Sequence, residues 1–415
     1  MREMKDSGIS WVGEIPKEWS VNRAKYCFVN TKEIAGCRSD RYERLALTMN
    51  GVIKRSKDDS NGLQPEKFET YQILRPDELV FKLIDLQNVS TSRVGLSPYL
   101  GLVSPAYIIL KSNKRVLPAF AEKYFLMLWK NQIFNALGDA GVRSNLNSKD
   151  LLGLSIPFPS LIEQQRIAEF LDRECGKIDG LKADIQAQID TLEQYKRSVI
   201  TEAVTHGLNP SAPMKDSGIP WVGKTPEYWK VGRIGGLYEL RNQKVSDKDF
   251  MPLSVTMKGI LPQLETAAKT NDGDNRKLVR VGDFAINSRS DRRGSCGISD
   301  YDGSVSLINT ILKPRNRMNA KYYNWLFHTP MFADEFYKWG HGIVDDLWTT
   351  NWSEMKRISI PLPPIDEQQE IADYLDNKCA EIEQIIADKK SQIETLDGYK
   401  KSLIYEYVTG KRECV

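Results

Sequence analysis

The sequence predicts an α+β protein in which two mixed α/β modules are separated by two long antiparallel coiled-coil helices, as a pseudo-two-fold internal repeat. Three observations lead to this prediction: two framework segments are each written twice, the segments between them diverge, and the longer framework segments carry a heptad pattern. The chain has 415 residues, of which 41% are hydrophobic and 27% charged. Such a composition is that of a globular protein, and the length predicts two or three domains.

The shorter framework segment recurs almost unchanged. Residues 4–16 read MKDSGISWVGEIP, and residues 214–226 read MKDSGIPWVGKTP. A tryptophan follows at the same distance in each copy, as Trp19 and Trp229. A match of this length with paired tryptophans is not a coincidence of composition, so the chain contains an internal repeat.

The longer framework segment covers residues 155–205 and 359–409, which are identical at 26 of 51 positions. Between the framework segments the halves share only traces, such as Gly95 and Gly101 recurring as Gly297 and Gly303. Two copies of about 200 residues favour a fused pseudo-dimer over a solenoid, which has more and shorter repeats.

The longer segments predict helices. In the first copy a proline-rich stretch precedes the helix, Glu163 lies in its first turn, and Gly207 ends it. Apolar residues follow at heptad spacing, which is typical of a coiled coil. The predicted pairing residues are Leu171, Ile178, Leu181, Ile185, Leu192, Tyr195 and Val199 in the first copy, and Leu375, Ile382, Ile385, Leu396, Tyr399 and Leu403 in the second. The alternative is that each helix packs only on its own module as core.

Both modules are predicted to mix strands and helices. Strand-like stretches lie at 78–84, 106–110 and 278–287, and one helix is expected in each module, near 118–137 and 319–338. The predicted domains are a first module at 1–160, a central helix at 161–208, a second module at 209–362 and a C-terminal helix at 363–415.

Catalytic motifs are missing from the sequence. We find no phosphate-binding loop, GxGxxG, GxSxG, Asn-Pro-Pro-Tyr type or PD…ExK motif, and no cluster of Cys and His at metal-ligand spacing. Asp345 and Asp346 are expected to form a solvated turn. We therefore expect no catalytic residue, no metal site and no cofactor bound by this chain.

Basic residues cluster inside both modules. The formal net charge of +3 excludes a histone-like polycation, but local patches decide whether a protein binds nucleic acid. Arginine suits guanine edges and phosphates, asparagine suits adenine, and lysine neutralises phosphate. For any single residue, the alternative is an ordinary solvated charge. The predicted DNA-binding residues are Lys54, Arg55, Lys57, Lys82, Arg93, Arg143, Asn145, Lys258, Arg276, Lys277, Arg289, Arg292 and Arg293.

The repeated motifs MKDSGI[SP]WVG and SIP[FL]P…EQQ.IA..LD, with the heptad helices after them, resemble the specificity subunit of a type I restriction–modification system. The resemblance covers residues 4–410. It implies that each module is a target-recognition domain reading one half of a split, asymmetric site in double-stranded DNA, and that the helices are spacers. The loop at Arg143 and Asn145 departs from the second copy, where acidic and aromatic residues stand, so its role is not carried over to the second module.

The resemblance also implies partners. Two methyltransferase subunits would carry S-adenosylmethionine, and two motor–nuclease restriction subunits would use ATP and Mg²⁺, so this chain would be a non-catalytic subunit of the complex. Two alternatives stay open: a coiled-coil scaffold without DNA readout, and a stand-alone enzyme with an unrecognised motif. No apolar run is long enough to span a membrane and the N-terminus is polar, so we expect a cytoplasmic protein.

Overall fold

A computed structural model describes residues 2–59, 67–86, 91–138, 145–263, 273–289, 292–315, 318–342 and 348–414. The chain forms two compact units. Unit 1 comprises residues 1–185 together with 390–415, and unit 2 comprises residues 186–389. The unit boundaries cross both long helices, so unit 2 is one continuous segment, whereas unit 1 joins the two ends of the chain.

Unit 1 contains the first module. Its strands are β1 (Met4–Asp6), β2 (Glu14–Pro16), β3 (Ser20–Arg23), β4 (Phe28–Thr31), β5 (Arg44–Thr48), β6 (Gly51–Arg55), β7 (Gln72–Leu74), β8 (Leu79–Phe81), β9 (Val94–Leu96), β10 (Gly101–Val103), β11 (Ile108–Ser112) and β12 (Ser155–Phe158). Its short helices are α1 (Pro118–Lys130), α2 (Ile133–Leu137) and α3 (Ser148–Gly153).

The strands of unit 1 form two four-stranded sheets, ordered β6-β5-β10-β7 and β4-β11-β8-β9. Of two further pairs, β1–β2 lies in the shorter framework segment, and β3–β12 joins the strand after Trp19 to the start of the longer framework segment. Because β3 pairs with β12 just before the first long helix, the framework fixes where that helix leaves the module.

Unit 2 contains the second module. Its strands are β13 (Met214–Ile219), β14 (Gly223–Pro226), β15 (Lys230–Arg233), β16 (Tyr238–Leu240), β17 (Lys244–Val245), β18 (Leu253–Thr256), β19 (Gly259–Pro262), β20 (Arg276–Val279), β21 (Phe284–Asn287), β22 (Cys296–Ile298), β23 (Gly303–Val305), β24 (Asn309–Pro314) and β25 (Ser359–Leu362).

The topology of unit 2 matches that of unit 1. The sheet β16-β24-β21-β22 corresponds to β4-β11-β8-β9, and β15–β25 corresponds to β3–β12. The hairpin β18–β19 takes the place of β5–β6, and β17-β20-β23 forms a separate sheet. The two divergent modules therefore share one fold.

The single helix predicted in each module was wrong in detail, because each prediction covers two helices. In unit 1 the chain breaks between α1 and α2, where Gln132 adopts a left-handed conformation with φ 61°. In unit 2, α6 (Ala320–Phe327) ends before α7 (Pro330–Lys338), whose first residue Pro330 cannot continue a preceding helix. A short α8 (Trp352–Met355) precedes β25, and a single turn, α5 (Ile234–Leu237), follows β15.

The two framework helices are long. Helix α4 spans Leu161–His206 and α9 spans Ile365–Val408. Gly207 follows α4 with φ 75°, a left-handed conformation that suits glycine at a helix end. The predicted start near Glu163 and stop at Gly207 are confirmed.

Ion pairs show that α4 and α9 run antiparallel within each unit. In unit 1, Lys400 Nζ lies 2.6 Å from Asp179 Oδ2, and Lys182 Nζ lies 2.5 Å from Asp397 Oδ1. Residue numbers rise along α4 as they fall along α9. In unit 2, Lys196 pairs with Glu383, in the repeat position equivalent to Lys400 and Asp179. Lys389 Nζ also donates to Gln188 Oε1, over 2.5 Å.

The inward-facing positions alternate by four and three along each helix, as in a coiled coil. On α4 they are Leu171, Cys175, Ile178, Lys182, Ile185, Ile189, Leu192, Lys196, Val199 and Ala203, and on α9 they are Leu375, Cys379, Ile382, Ile386, Lys389, Ile393, Leu396, Lys400, Leu403 and Tyr407; all are buried or half-buried. We refer to these positions as the seam.

Four predicted pairing residues lie outside the seam. Leu181, Tyr195, Ile385 and Tyr399 are 45% to 54% exposed. The positions that face inward are one residue further on, and three of these four are lysines. The apolar residue beside each of these positions was predicted because of its hydrophobicity. Helix geometry instead places the stem of the lysine against the partner helix and its ammonium group at the edge of the interface.

Each long helix also contributes to module cores, so pairing and packing on a module both occur. The core of unit 1 joins Trp19, Phe81 and Leu171 with Ile404 and Val408 from the end of α9. The core of unit 2 joins Trp229, Phe284 and Leu375 with Val204 from the end of α4. Each unit therefore needs both the beginning of one long helix and the end of the other.

Candidate nucleic-acid interface

The repeated framework ties each module to the start of its helix. In unit 1 the indole nitrogen of Trp19 donates to Glu163 Oε2 over 2.9 Å, and in unit 2 the same bond joins Trp229 and Glu367, also over 2.9 Å. Both carboxylates lie in the first turn of a helix, where negative charge is stabilised by the dipole. The paired tryptophans of the sequence are thus explained by structure rather than by DNA contact.

The next framework residue is a buried glutamine in both units. Gln164 Nε2 donates to Pro159 O over 3.0 Å, and its Oε1 accepts from Leu117 N over 2.8 Å. Gln368 makes the equivalent bonds to Pro363 O and Asn319 N. These bonds attach α4 to the start of α1 in unit 1, and α9 to the start of α6 in unit 2. The variable part of each module is then the set of loops on its sheets.

A basic cavity of about 440 Å³ lies beside the β5–β6 hairpin of unit 1. It brings together three predicted DNA-binding residues, Lys54, Arg55 and Lys57, with two basic residues that were not predicted, Arg41 and Arg44. Arg44 lies opposite Arg55 in the strand pair. No motif marks Arg41 and Arg44, and only the fold brings them to the cavity.

Acidic side chains and one backbone oxygen pair with the basic groups of this cavity. Lys54 Nζ lies 2.6 Å from Glu43 Oε2, a contact that raises the pKa of Lys54. Arg55 pairs with Asp59 over 2.6 Å, and Lys57 donates to Ser39 O over 2.9 Å. Lys54 remains largely exposed, and an ion pair in this setting contributes little free energy. An incoming phosphate could therefore replace Glu43 as the partner of Lys54 at little cost.

A second group of predicted residues meets at the β8–β9 loop of unit 1. Lys82 and Arg93 flank this loop, with Lys82 N donating to Arg93 O over 3.0 Å. Asn145 reaches the loop from the segment before α3, and its Oδ1 accepts from Asp85 N over 2.9 Å. Desolvation lowers the pKa of Lys82, and the nearby charge of Arg93 adds to this. Arg143 lies outside the described residues.

The β21–β22 loop of unit 2 occupies the equivalent place in the topology. It carries Arg289, Arg292 and Arg293. Arg289 pairs through its backbone with Thr349, in the segment before α8, whereas in unit 1 the link is from the backbone of Asp85 to the side chain of Asn145. Arg293 is exposed, lies 2.8 Å from Asp334, and stacks over Tyr337 at 5.3 Å. In both units a basic loop therefore meets the segment that leads back to the framework.

The other predicted residues of unit 2 belong to other strands and turns. Lys258 is exposed at the tip of the β18–β19 hairpin. Lys277 is half-buried and donates to Asn309 O over 2.7 Å, and desolvation lowers its pKa.

Two predicted DNA-binding arginines are buried. Arg93 is 0% exposed and donates to Asp85 O. Arg276 is 4% exposed and donates to Ser304 through both Nε and Nη2, each over 2.9 Å. Burial lowers the pKa of both guanidinium groups. As placed, these side chains organise loops and strands of the interior and do not present their guanidinium groups to a ligand.

The modules also contain a short repeat that was not recognised in the sequence. The hairpins β5–β6 and β18–β19 carry Thr-Met-Asn-Gly and Thr-Met-Lys-Gly at residues 48–51 and 256–259. Three identities in four residues are too few to be significant in sequence, and only their equivalent place in the fold identifies them as a repeat.

Within the described part of the chain, no three or more His, Cys, Asp and Glu residues lie together as a metal site would require. Asp345 and Asp346 lie outside the described residues. Among those that are described, no helix is long and apolar enough to cross a membrane.

Known proteins share both the sequence pattern and the fold. The profile of the type I restriction modification DNA specificity domain matches residues 57–191 and 226–395. A putative type I restriction enzyme MjaX specificity subunit from Methanocaldococcus jannaschii is 23% identical, with 96% of this chain and 95% of the relative covered. The EcoKI specificity subunit of Escherichia coli is 20% identical over 85% of this chain and 81% of the relative.

A solved chain from work on complex assembly and conformational transition of the type I R-M system has the same fold. Its TM-score is 0.70 at 13% identity, covering 96% of this chain and 99% of that one. Since the family profile matches two copies that span most of the sequence, this chain belongs to the type I restriction–modification DNA specificity family. The family resemblance and the predicted fold class are confirmed.

Proposed function

We propose that this chain reads a bipartite, asymmetric site in double-stranded DNA, with one module for each half-site. The single observation that supports this most directly is one fold carrying two different surfaces: the sheets of the two units correspond, while the residues on their loops differ. Two dissimilar readers on a repeated framework suit an asymmetric target. The first reader would be within 1–160 and the second within 209–362.

The proposed DNA contacts are the predicted polar residues that the described structure does not bury, together with Arg143. In unit 1 they are Lys54, Arg55 and Lys57 at the cavity, with Lys82 and Asn145 at the β8–β9 loop and with Arg143. In unit 2 they are Arg289, Arg292 and Arg293 at the β21–β22 loop, with Lys258 and Lys277. Arginine and asparagine supply base readout, and lysine supplies the salt-dependent contact with phosphate.

The chemistry would be performed by partners. We propose that two methyltransferase subunits carrying S-adenosylmethionine, and two restriction subunits using ATP and Mg²⁺, assemble on this chain, which itself binds no cofactor and catalyses nothing. Methylation of a base in duplex DNA requires its extrusion from the stack, so this subunit would hold the duplex while a partner acts on the flipped adenine.

The test is to co-express the chain with its genomic neighbours, including any methyltransferase subunit among them, and to map methylated adenines by single-molecule sequencing. We expect a split motif with a spacer of constant length. A stable complex that methylates no split motif would contradict the proposal, and the absence of any complex would favour the scaffold alternative.

A triple variant assigns the half-sites. Replacing Arg289, Arg292 and Arg293 with alanine should relax or abolish recognition at one half-site and leave the other unchanged, because the three residues lie in one unit. The matched control is K224A/K230A, which removes two exposed lysines from the framework strands of the same unit. Unaltered specificity in the triple variant would contradict this assignment.

A further inference from the structure

The two modules contain the same hairpin, built in the same way. In β5–β6, Thr48 Oγ1 donates to Gly51 O over 3.0 Å and accepts from Asn50 N over 3.2 Å. In β18–β19, Thr256 makes the same two bonds, over 2.9 and 3.1 Å. Both glycines have positive φ, 87° and 101°, which a side chain would oppose.

The turn explains the threonine and the glycine but not the methionine. Met49 is 51% exposed and Met257 is 72% exposed, so neither contributes to a core. One strand further on, Ile53 and Leu261 are also exposed, at 41% and 36%, in equivalent positions. Large apolar side chains kept in solvent at equivalent places of two otherwise divergent modules indicate a surface that contacts something else.

The inner faces of the hairpins are part of the module cores. Leu47 and Val52 are buried in unit 1, and Val255 and Ile260 are buried in unit 2. The apex is therefore held at the end of a packed element and does not depend on a loose loop. A rigid support of this kind is what a reading side chain needs in order to keep its geometry.

The four repeated glycines leave room for this element. A Cβ at Gly95 would lie 2.7 Å from Leu47 Cδ1, and one at Gly297 would lie 2.8 Å from Gly259 Cα. A Cβ at Gly101 or Gly303 would lie 2.6 Å from the backbone oxygen of Glu43 or Met251. The recurrence of these glycines between divergent modules is thus explained by the need to hold the hairpin in one position.

The apices differ at one residue, which is Asn50 in unit 1 and Lys258 in unit 2; both are exposed. Asparagine pairs with the N6 and N7 atoms of adenine, and lysine with the O6 and N7 atoms of guanine. The first hairpin also leads directly into the basic cavity at Lys54 and Arg55. Shared apolar residues beside a variable polar one are the pattern expected of a reader with a constant anchor.

We propose that each hairpin apex enters the major groove of its own half-site, where Met49 or Met257 packs against a base edge and Asn50 or Lys258 selects the base. The major groove admits a two-stranded β-ribbon, and apolar side chains there contact the methyl group of thymine. This inference rests on the proposed function and adds to it the residues that discriminate.

The decisive experiment exchanges the two polar residues. N50K and K258N are made separately in the full chain, co-expressed with the methyltransferase, and the methylated motifs are mapped. We expect N50K to convert an adenine of one half-site to guanine, and K258N to convert a guanine of the other half-site to adenine. Each variant should leave the opposite half-site unchanged, because the hairpins belong to different units.

Truncating Met49 and Met257 tests how much these side chains contribute to DNA binding. M49A and M257A should each weaken binding of the assembled complex to a duplex carrying the wild-type motif by about tenfold, with thermal midpoints unchanged. The control is M251A, which truncates a methionine of unit 2 that is 46% exposed but outside the turn. The control should bind as tightly as the wild type.

The outcomes separate the inference from the function. If the wild-type complex methylates no split motif, the proposed function itself is contradicted. A wild-type split motif that N50K and K258N leave unchanged, or Met variants that bind DNA normally, overturn the hairpin inference alone. Loss of the methyltransferase from complexes of M49A or M257A would mean that the apex contacts a protein subunit, and this would also overturn the inference.

Discussion

One carboxylate in the first turn of each long helix accepts a hydrogen bond from the tryptophan of the repeated framework. In unit 2, Glu367 Oε2 accepts from the indole of Trp229, and its Oε1 accepts from the hydroxyl of Tyr228 over 3.0 Å. Trp229 is only 1% exposed, so its N–H has little access to water when the acceptor is removed. Leaving such a donor unpaired costs more than a typical hydrogen bond contributes.

We therefore expect Glu367→Ala to destabilise unit 2 by about 1–3 kcal/mol, because a buried donor loses its acceptor. Urea unfolding followed by tryptophan fluorescence measures the change. Glu370→Ala removes an exposed carboxylate from the same helix and is the control. Equal effects of the two substitutions would show that the bond to Trp229 contributes nothing specific.

Asp302 gives a pH-dependent contribution to stability. Its pKa is lowered, first by the backbone N–H of Val281 at 2.9 Å and then by the guanidinium of Arg280 at 2.6 Å. The ionised carboxylate is favoured in the folded state, so its contribution is present above the unfolded pKa of about 3.9 and is lost as pH falls through the lower folded pKa.

Asp302→Asn removes this titration. Between pH 5 and pH 3 we expect the wild type to lose more stability than the variant, because only the wild type must protonate a carboxylate that the fold holds ionised. Denaturant midpoints across this range test the expectation, with Asp300→Asn as the control for a change of charge in the same turn. Parallel pH profiles for wild type and D302N would contradict it.

At the scale of the element, the seam has lysines where the heptad expects apolar residues. Lys182, Lys196 and Lys400 each direct an ammonium to an acidic residue of the facing helix. These carboxylates are more than half exposed, so the ion pairs contribute little to stability and their value lies in fixing the register.

Two glycines weaken α4 without serving its packing. A Cβ at Gly176 or Gly180 would meet no atom within 4 Å. The second copy places Ala380 in the position equivalent to Gly176. We expect G176A to stabilise unit 1 by roughly 1 kcal/mol through helix propensity, measured by urea unfolding.

Gly207 is the control for this prediction, because a side chain is expected to be unfavourable at this glycine. Its φ is 75°, and a Cβ there would lie 2.7 Å from Glu367 Oε1. G207A should therefore destabilise the protein although it makes the same chemical change. If G176A also destabilised, an unrecognised close approach at that site would have to exist.

At the scale of the whole molecule, the helices are the proposed spacers between readers. One heptad of helix rises about 10.5 Å, which corresponds to about three base pairs at 3.4 Å each. Duplicating residues 179–185 in α4 and 383–389 in α9 keeps the alternation of the seam and lengthens both helices at the boundaries between the units.

We expect this double insertion to abolish methylation of the original motif and to move any remaining methylation to a motif whose spacer is about three base pairs longer. Methylome sequencing of the co-expressed complex gives the result. Insertion into α4 alone is the control, and it should prevent assembly because the seam loses its register. An unchanged motif in the double insertion would refute the role of the helices as spacers.

Local pattern predicted much of the framework. Glu163 and Gly207 bound α4 as expected, because capping chemistry depends on a few adjacent residues. The choice of Leu181 over Lys182 for the seam was wrong, since burial depends on which side of the helix meets its partner and not on hydrophobicity alone. For the same reason Arg93 and Arg276 read as surface charges in sequence, although the fold encloses them.

The sequence by itself determined the internal repeat, the two long helices, the mixed α and β content of the modules and the family. Each of these depends on residue identities at matching positions or on hydrophobic periods of three to seven residues. The tertiary structure alone decided which segments complete each core. The end of α9 packs with Trp19 in the core of unit 1, although the two are more than 380 residues apart in sequence, and no local pattern encodes a contact of that separation. It also decided that Met49 and Met257 are equivalent, since two hairpins with few identities become one element only when the sheets around them are compared.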